Sequence, residues 1–208
     1  MSASFDLGTS DPTLTYSNTP SVPLTVFNGT GSGTDHFAYS NLSSTIKFYF
    51  ETIIDFLPGG FSTGVGCSDP SFAAAGFQGS DAHSFAYYDT GAFYINGGGA
   101  GAPSSYVQGD NVGFAVDVAN LMVWVRVNGL LWNNDALANP ITNTNGLSLS
   151  SMSSPFKVAV DLRAVPSSGV TAKFAASSWS YTKPTGFEEL GFVSSAVNLL
   201  GATRVLRI

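Results

Sequence analysis

With Cys67 as its single cysteine, the chain has no internal disulfide to brace it. Charge is scarce as well: 11% of residues are Asp, Glu, Lys or Arg, and only eight of them are basic. A surface that tracks phosphates needs clustered Lys and Arg, so eight scattered cations within a net charge of -6 argue against nucleic acid as a partner. No apolar run approaches the ~20 residues of a membrane span, and no basic start leads into an apolar segment, so neither a span nor a signal peptide is expected. The Asn-x-Ser/Thr matches at Asn28 and Asn41 are read as accidental, because glycosylation requires secretion. Two histidines, His36 and His83, are too few for a metal cluster and lack the spacing of a helical site. No metal and no cofactor is expected.

What the chain does have is aromatic residues, 13% of the total, and abundant Gly, Ser, Thr and Asn, the profile of many short strands joined by turns. Its 208 residues suffice for one core that hides roughly 70 per cent of the unfolded surface, so one domain is expected. Tyr106 to Gly129 carries the clearest pattern. Val112, Phe114 and Val116 alternate with smaller or polar residues, then Val123, Val125 and Val127 alternate with Met122, Trp124 and Arg126, the period of two of half-buried strands. Asp117 to Asn120 between the runs predicts a hairpin, and Asn128-Gly129 predicts a second tight turn with a third strand starting at Leu130. Lys47 to Phe56 predicts another strand, with Phe48, Phe50, Thr52, Ile54 and Phe56 facing the core and Tyr49, Glu51, Ile53 and Asp55 on the other face.

Elsewhere the same logic predicts strands over Phe85 to Tyr88, Phe93 to Asn96 and Lys157 to Arg163, the last with Val158, Val160 and Leu162 on one side. Val170, Ala172 and Phe174 mark a further one. Met1 to Asn41, with Pro12, Pro20 and Pro23, reads as edge strands and extended chain. Gly97 to Gly101 reads as a linker, and Ser68 to His83 and Asn133 to Pro155 as long loops. Structureless loops of that length are uncommon unless functional or packed down, which makes Asn133 to Pro155 the first suspect for a binding surface.

Lys47 to Glu51, Gly64-Val65-Gly66, Ser84 to Tyr87 with Gly91, Gly109 to Gly113 with Asp117, Val127-Asn128-Gly129, Phe156 to Leu162, and Phe174 through Trp179, Tyr181, Pro184 and Phe187 together resemble the SPRY domain family. The resemblance spans roughly residues 40 to 190. It implies a bent, lectin-like sandwich of two antiparallel sheets that binds ligands with loops at one end. The chain departs from the family pattern at Phe85, where many members carry Trp, and in the loop after Trp132. That loop is more similar to phage and bacterial versions than to the animal interaction modules, so the peptide-binding residues of the latter do not carry over. The expected architecture is one antiparallel β-sandwich over residues 1–190 with an extension over 191–208.

Gly60-Phe61-Ser62-Thr63-Gly64 matches the G-x-S-x-G nucleophile pattern, but that mechanism needs a helix after the serine and a strand-like stretch follows here. No catalytic residue is expected. Asp110 and Asp117 stand at strand boundaries, where aspartate accepts backbone N–H bonds in turns. The candidate ligand residues are Trp132, Asn133, Asn134, Asp135 and His83: an aromatic face beside short polar groups could hold a sugar, and the oxygens calcium, with turn formation as the bland alternative. In the extension, Phe192, Val197, Leu200, Leu206 and Ile208 are too apolar for a free tail and are expected to cover the sandwich or to contact another subunit, the latter accounting for the basic pair Arg204 and Arg207. The functional expectation is a non-enzymatic phage virion protein, a receptor-binding, tail-fibre or capsid-decoration module. Its expected partners are other virion proteins, further copies of itself and a host surface glycan or protein. The competing expectations are a free carbohydrate-binding module and an intracellular scaffold that grips a peptide.

Overall fold

Alternation becomes sheet almost wherever it occurs. The computed structural model describes residues 3–17, 24–28, 35–58, 62–100, 103–163 and 168–191. Among them are thirteen strands: β1 (Thr15–Ser17), β2 (Thr25–Asn28), β3 (Phe37–Ser44), β4 (Phe48–Phe56), β5 (Thr63–Ser68), β6 (Ser84–Tyr88), β7 (Phe93–Ile95), β8 (Gly98–Gly99), β9 (Asn111–Asp117), β10 (Met122–Val127), β11 (Leu147–Ser148), β12 (Phe156–Leu162) and β13 (Ser168–Lys173). The pairings between these strands are antiparallel and build a seven-stranded sheet, β1-β2-β13-β4-β9-β10-β11, and a six-stranded sheet, β3-β12-β5-β6-β7-β8. The fold is an all-β antiparallel sandwich.

Between the sheets lies a core to which nearly every predicted inward residue contributes. Phe48, Phe50, Ile54, Val112, Phe114, Val116, Val123 and Val125 come from one sheet, and Val65, Cys67, Phe85, Tyr87, Val158, Val160 and Leu162 from the other, all fully buried. The Phe50 and Phe114 rings stack at 4.8 Å and 4°, a cross-strand pair set by the register of β4 on β9. The β9–β10 hairpin forms as predicted, with Asp117 opposite Met122 and the Asp117 carboxylate accepting the Asn120 N–H at 3.1 Å. Asn128 and Gly129 both take positive φ, 51° and 70°, as their tight turn requires. β1 and β3 lie at sheet edges, where the Pro-containing N-terminal region was expected to supply them.

Three expectations need correction. No strand starts at Leu130: the residue is 69% exposed, and a 3-10 turn over Trp132–Asn134 follows it. The Asn133 side chain accepts the Val125 N–H at 2.9 Å, so a loop amide, rather than a new strand, satisfies part of the β10 edge. Strand β9 instead has β4, about sixty residues earlier, as its second neighbour. Phe56 is not core but 44% exposed at the end of β4, edge-on to Phe27. Gly97 to Gly101 is not a bare linker, because Gly98 and Gly99 pair with Ile95 and Tyr94 after an Asn96-Gly97 turn. The other face of β4 is covered as well, since Tyr49 and Glu51 are both fully buried.

Tyr49 and Glu51 belong to a second packed layer, on the outside of the seven-stranded sheet. Register places Tyr49, Ala115 and Trp124 side by side across β4, β9 and β10, and Phe187, Ala138, Trp132 and Trp179 close over them. One row further on stand Lys173, Glu51, Gly113 and Arg126 across four neighbouring strands. Glycine is required in that row: a Cβ on Gly113 would meet the Tyr49 hydroxyl at 2.9 Å. Glu51 accepts hydrogen bonds from the Tyr49 hydroxyl (2.8 Å), the Asn111 amide (2.6 Å), and the backbone N–H groups of Ser180 (2.7 Å) and Tyr181 (2.9 Å). A buried carboxylate thereby straps the chain after β13 onto the sheet.

Candidate functional site

The outer face of the six-stranded sheet is covered differently. Across β6, β5 and β12 it is closed by the loop from Asp69 to His83, whose Gln78 donates from Nε2 to the Phe85 and Ala159 carbonyls at 2.8 and 3.3 Å. Over β3 the cover stops. The N-terminal residues pair along the free edge of β3, through Asp6 N–H to Tyr39 O at 2.6 Å and Asn41 N–H to Ser4 O at 2.8 Å, and then turn away. Two adjoining hollows of about 440 and 390 Å³ remain, and Thr9, Tyr39 and Ala74 line both, so they form one trough. Volumes of about 300 to 1,000 Å³ are typical of ligand sites.

The trough has an aromatic wall and two unlike ends. Phe37 and Tyr39 stack along β3 at 6.3 Å and 21°, and Phe72 reaches back from the covering loop to meet them edge-on at 5.3 and 6.4 Å. Burial pushes the Tyr39 phenol well above its usual range, helped by the charges of Asp161 and Asp81, so its hydroxyl stays protonated and able to donate. At one end Lys157 stands between Ser43 and Ser68, its cross-strand neighbours, with Pro155 and Asp69 beside them. Lys157 makes no ion pair among the described residues. The carboxylate that feels its charge is Asp6, whose oxygens accept from Gly8 N–H and the Thr9 hydroxyl, both at 2.9 Å. At the other end stand Asp11 and Asp35. Asp11 accepts from Thr13 and lies 2.7 Å from His36 Nδ1, while Asp35 lies 3.2 Å from Arg163 Nε and is raised above the usual carboxylate range by burial.

Beneath that acidic end lies Asp161, on β12 and fully buried. Its Oδ2 accepts from the Tyr88 hydroxyl at 2.7 Å and the Gln78 N–H at 3.1 Å, while Oδ1 has no partner among the described residues. Burial, and then the charge of Asp35, push its pKa up to about 7.

The five residues singled out from sequence fall into two places. Trp132, Asn133, Asn134 and Asp135 sit together after the β10 turn, outside the seven-stranded sheet. One face of the Trp132 ring carries the Arg126 guanidinium at 4.3 Å, and Tyr49 meets it edge-on at 6.4 Å. Asn133 donates to Asn145 O at 2.9 Å. Asp135 accepts from Leu137 N–H and the Asn145 amide, both at 2.9 Å, bonds that hold its carboxyl below the usual range. Asn134 borders a hollow of only about 160 Å³ with Leu130, Leu131 and Pro103. His83 stands instead just before β6 of the six-stranded sheet, its Nδ1 3.1 Å from the buried Asp69 carboxylate, which borders the trough. Phe192, Val197, Leu200, Leu206 and Ile208, expected from sequence to contact another subunit, lie outside the described residues. Ser62 is followed by strand β5, and its Oγ has no hydrogen-bond partner among the described residues.

Sequence reasoning passed over Tyr39, Phe72 and Lys157 as site residues. Phe37-Ala38-Tyr39 carries the relevant signal, an aromatic at each of two successive positions on one face of a strand beside a polar stretch.

The class of protein follows from the sandwich and its register. The structure is similar to the SPRY domain of human HERC1, with a TM-score of 0.64 and 16% identity over 81% of this chain and 96% of that one. It is also similar to stonustoxin, with a TM-score of 0.54 and 12% identity over 83% of this chain and 27% of that one. The chain thus has a SPRY-like fold. No protein-family model and no curated protein matches it.

Proposed function

We propose that the chain is a non-enzymatic binding module that grips its partner in the trough of the six-stranded sheet. A SPRY-like fold is generally a binding domain, and fold alone leaves the site open. The observation that carries the reading is the contrast in size and occupancy of the two loop regions. The trough offers about 440 Å³ beside an aromatic wall and a lysine with no ion pair among the described residues, whereas the hollow by Asn134 holds about 160 Å³ and Trp132 is capped by Arg126. An array of glycans and peptides probed with the full chain and with Tyr39→Ala tests it. Signals that vanish in the variant, with its unfolding midpoint kept, support the trough; a partner held equally by both sinks it.

The finer reading is that this module belongs to a phage particle, assembled in the host cytoplasm, with its loops turned to a host surface. The Trp132 to Pro155 loop and the apolar stretch from Gly191 to Ile208 support it. Deleting 192–208 is expected to prevent incorporation into virions while leaving the sandwich folded. Particles that incorporate the shortened chain normally would count against this assignment and favour a free carbohydrate-binding module or a peptide-gripping scaffold.

A further inference from the structure

We infer that the trough takes a carboxylated pyranose, the sugar unit of an acidic glycan, an inference that rests on the trough being the binding surface. Three features of the site converge on that chemistry. The first is the wall: a pyranose presents an apolar C–H face that lies flat on an aromatic ring, and Tyr39 lines both hollows with Phe72 at its edge. The second is the Lys157 end. Lys157, between two serines of the neighbouring strands and with Asp69 bonded to His83 and Ser153 beside it, offers a point charge with small hydroxyl donors nearby, the set that a carboxylate oxygen pair needs. On a chain of net charge -6 that cation is out of character with its surroundings, which makes an anionic group the complement of this end in particular.

The third feature is the opposite end, which rejects a uniformly anionic ligand. Asp11 and Asp35 line it, each beside its own basic partner, His36 and Arg163, so a second acidic group would find no basic residue in the lining, while sugar hydroxyls would find carboxylate acceptors. A ligand that is acidic at one end and hydroxylated at the other fits both. An acidic peptide would place charge along its whole length and bring few donors to Asp11 and Asp35. The covering segments add side chains of modest size, Thr9, Ala73 and Ala74, which leave the trough open from above for a chain that continues beyond the bound unit.

Titration of the isotope-labelled full chain, followed by amide chemical shifts, tests this with tri-galacturonate, its methyl ester, sialyllactose, lactose and hexaglutamate. The expected result is saturable movement of the Ser43, Ser68, Ala74 and Lys157 amides with tri-galacturonate or sialyllactose, and binding of the ester and lactose weaker by roughly tenfold or more. Lys157→Gln should erase that difference and Lys157→Arg should keep most of it. Equal binding of neutral and acidic sugars overturns the role of the carboxylate. Hexaglutamate moving these amides when no sugar does overturns the ligand class and leaves the trough standing as the binding surface. No movement of trough amides with any sugar also overturns the inference, whereas the trough itself fails only on a partner that still binds Tyr39→Ala.

Discussion

The two sheets of this sandwich treat their outer faces in opposite ways. Outside the seven-stranded sheet, Tyr49, Trp124, Trp132, Trp179 and Phe187 form a second packed layer, and Glu51 with four accepted hydrogen bonds ties the returning chain to it. Outside the six-stranded sheet, the cover formed by the Asp69 to His83 loop ends short of β3 and leaves a trough with an aromatic wall. Both faces are rich in aromatic and polar groups. Closure separates them: where rings are covered and a buried carboxylate is bonded within the chain the face is structural, and where rings and a lysine are left over it is available to a ligand.

The sharpest way to break that contrast is to undo the closed face. Glu51→Ala leaves several buried donors without an acceptor, and the expected loss is roughly 3–5 kcal/mol of stability. Urea unfolding would measure it, with faster hydrogen exchange at the Ser180 and Tyr181 amides. A loss below about 1 kcal/mol would show that the strap does not depend on the carboxylate.

Next in size is Asp161, buried below the open face. The folded chain keeps its proton up to about pH 7, whereas an unfolded aspartate loses it near about pH 4. The folded state therefore binds more protons between those values, so stability falls as pH rises through that window and levels off above it. Asp35 and Asp55, also raised by burial, act in the same direction. Asp161→Asn removes the largest of these contributions and is expected to stabilise the chain at pH 8 by about 2 kcal/mol while flattening the slope. An unchanged slope between pH 5 and 8 would sink this assignment.

Smaller effects sharpen the division. Trp132→Ala is expected to cost about 1–2 kcal/mol, because the ring supports Arg126 and Tyr49, and to leave trough ligands bound. Thermal unfolding and glycan titration together check it; lost sugar binding at undiminished stability would move the site to that loop. Lys157→Gln sits at the bottom of the scale, with stability within about 0.5 kcal/mol of the parent and its effect confined to binding.

The strands were legible because the face turned to the core carries large aliphatic and phenyl groups at every second residue, as in β9, β10 and β12, even where the other face is buried too, and Asn128-Gly129 marked its turn through positive φ. Leu130 misled for a related reason: a turn after a strand predicts another strand, and no local signal showed that the Asn133 side chain would take the place of one. Tyr49 and Glu51 obeyed the alternation yet were not outward in effect, since what covers them arrives some eighty to a hundred and forty residues later. The trough was illegible in the same way. Tyr39, Phe72 and Lys157 are ordinary residues of three separate segments, joined only by the placement of β3 beside β12 and the fold of one loop.

By itself the sequence determined which residues alternate, where the chain must reverse, and that a low-charge, disulfide-free chain would be built from short strands burying aliphatic and phenyl groups. These depend on neighbours one or two positions away. Tertiary structure alone decided which outer face closes and which stays open. That outcome depends on where distant segments come to rest, because a buried carboxylate is tolerated only once its donors have arrived, and a trough exists only where no segment does.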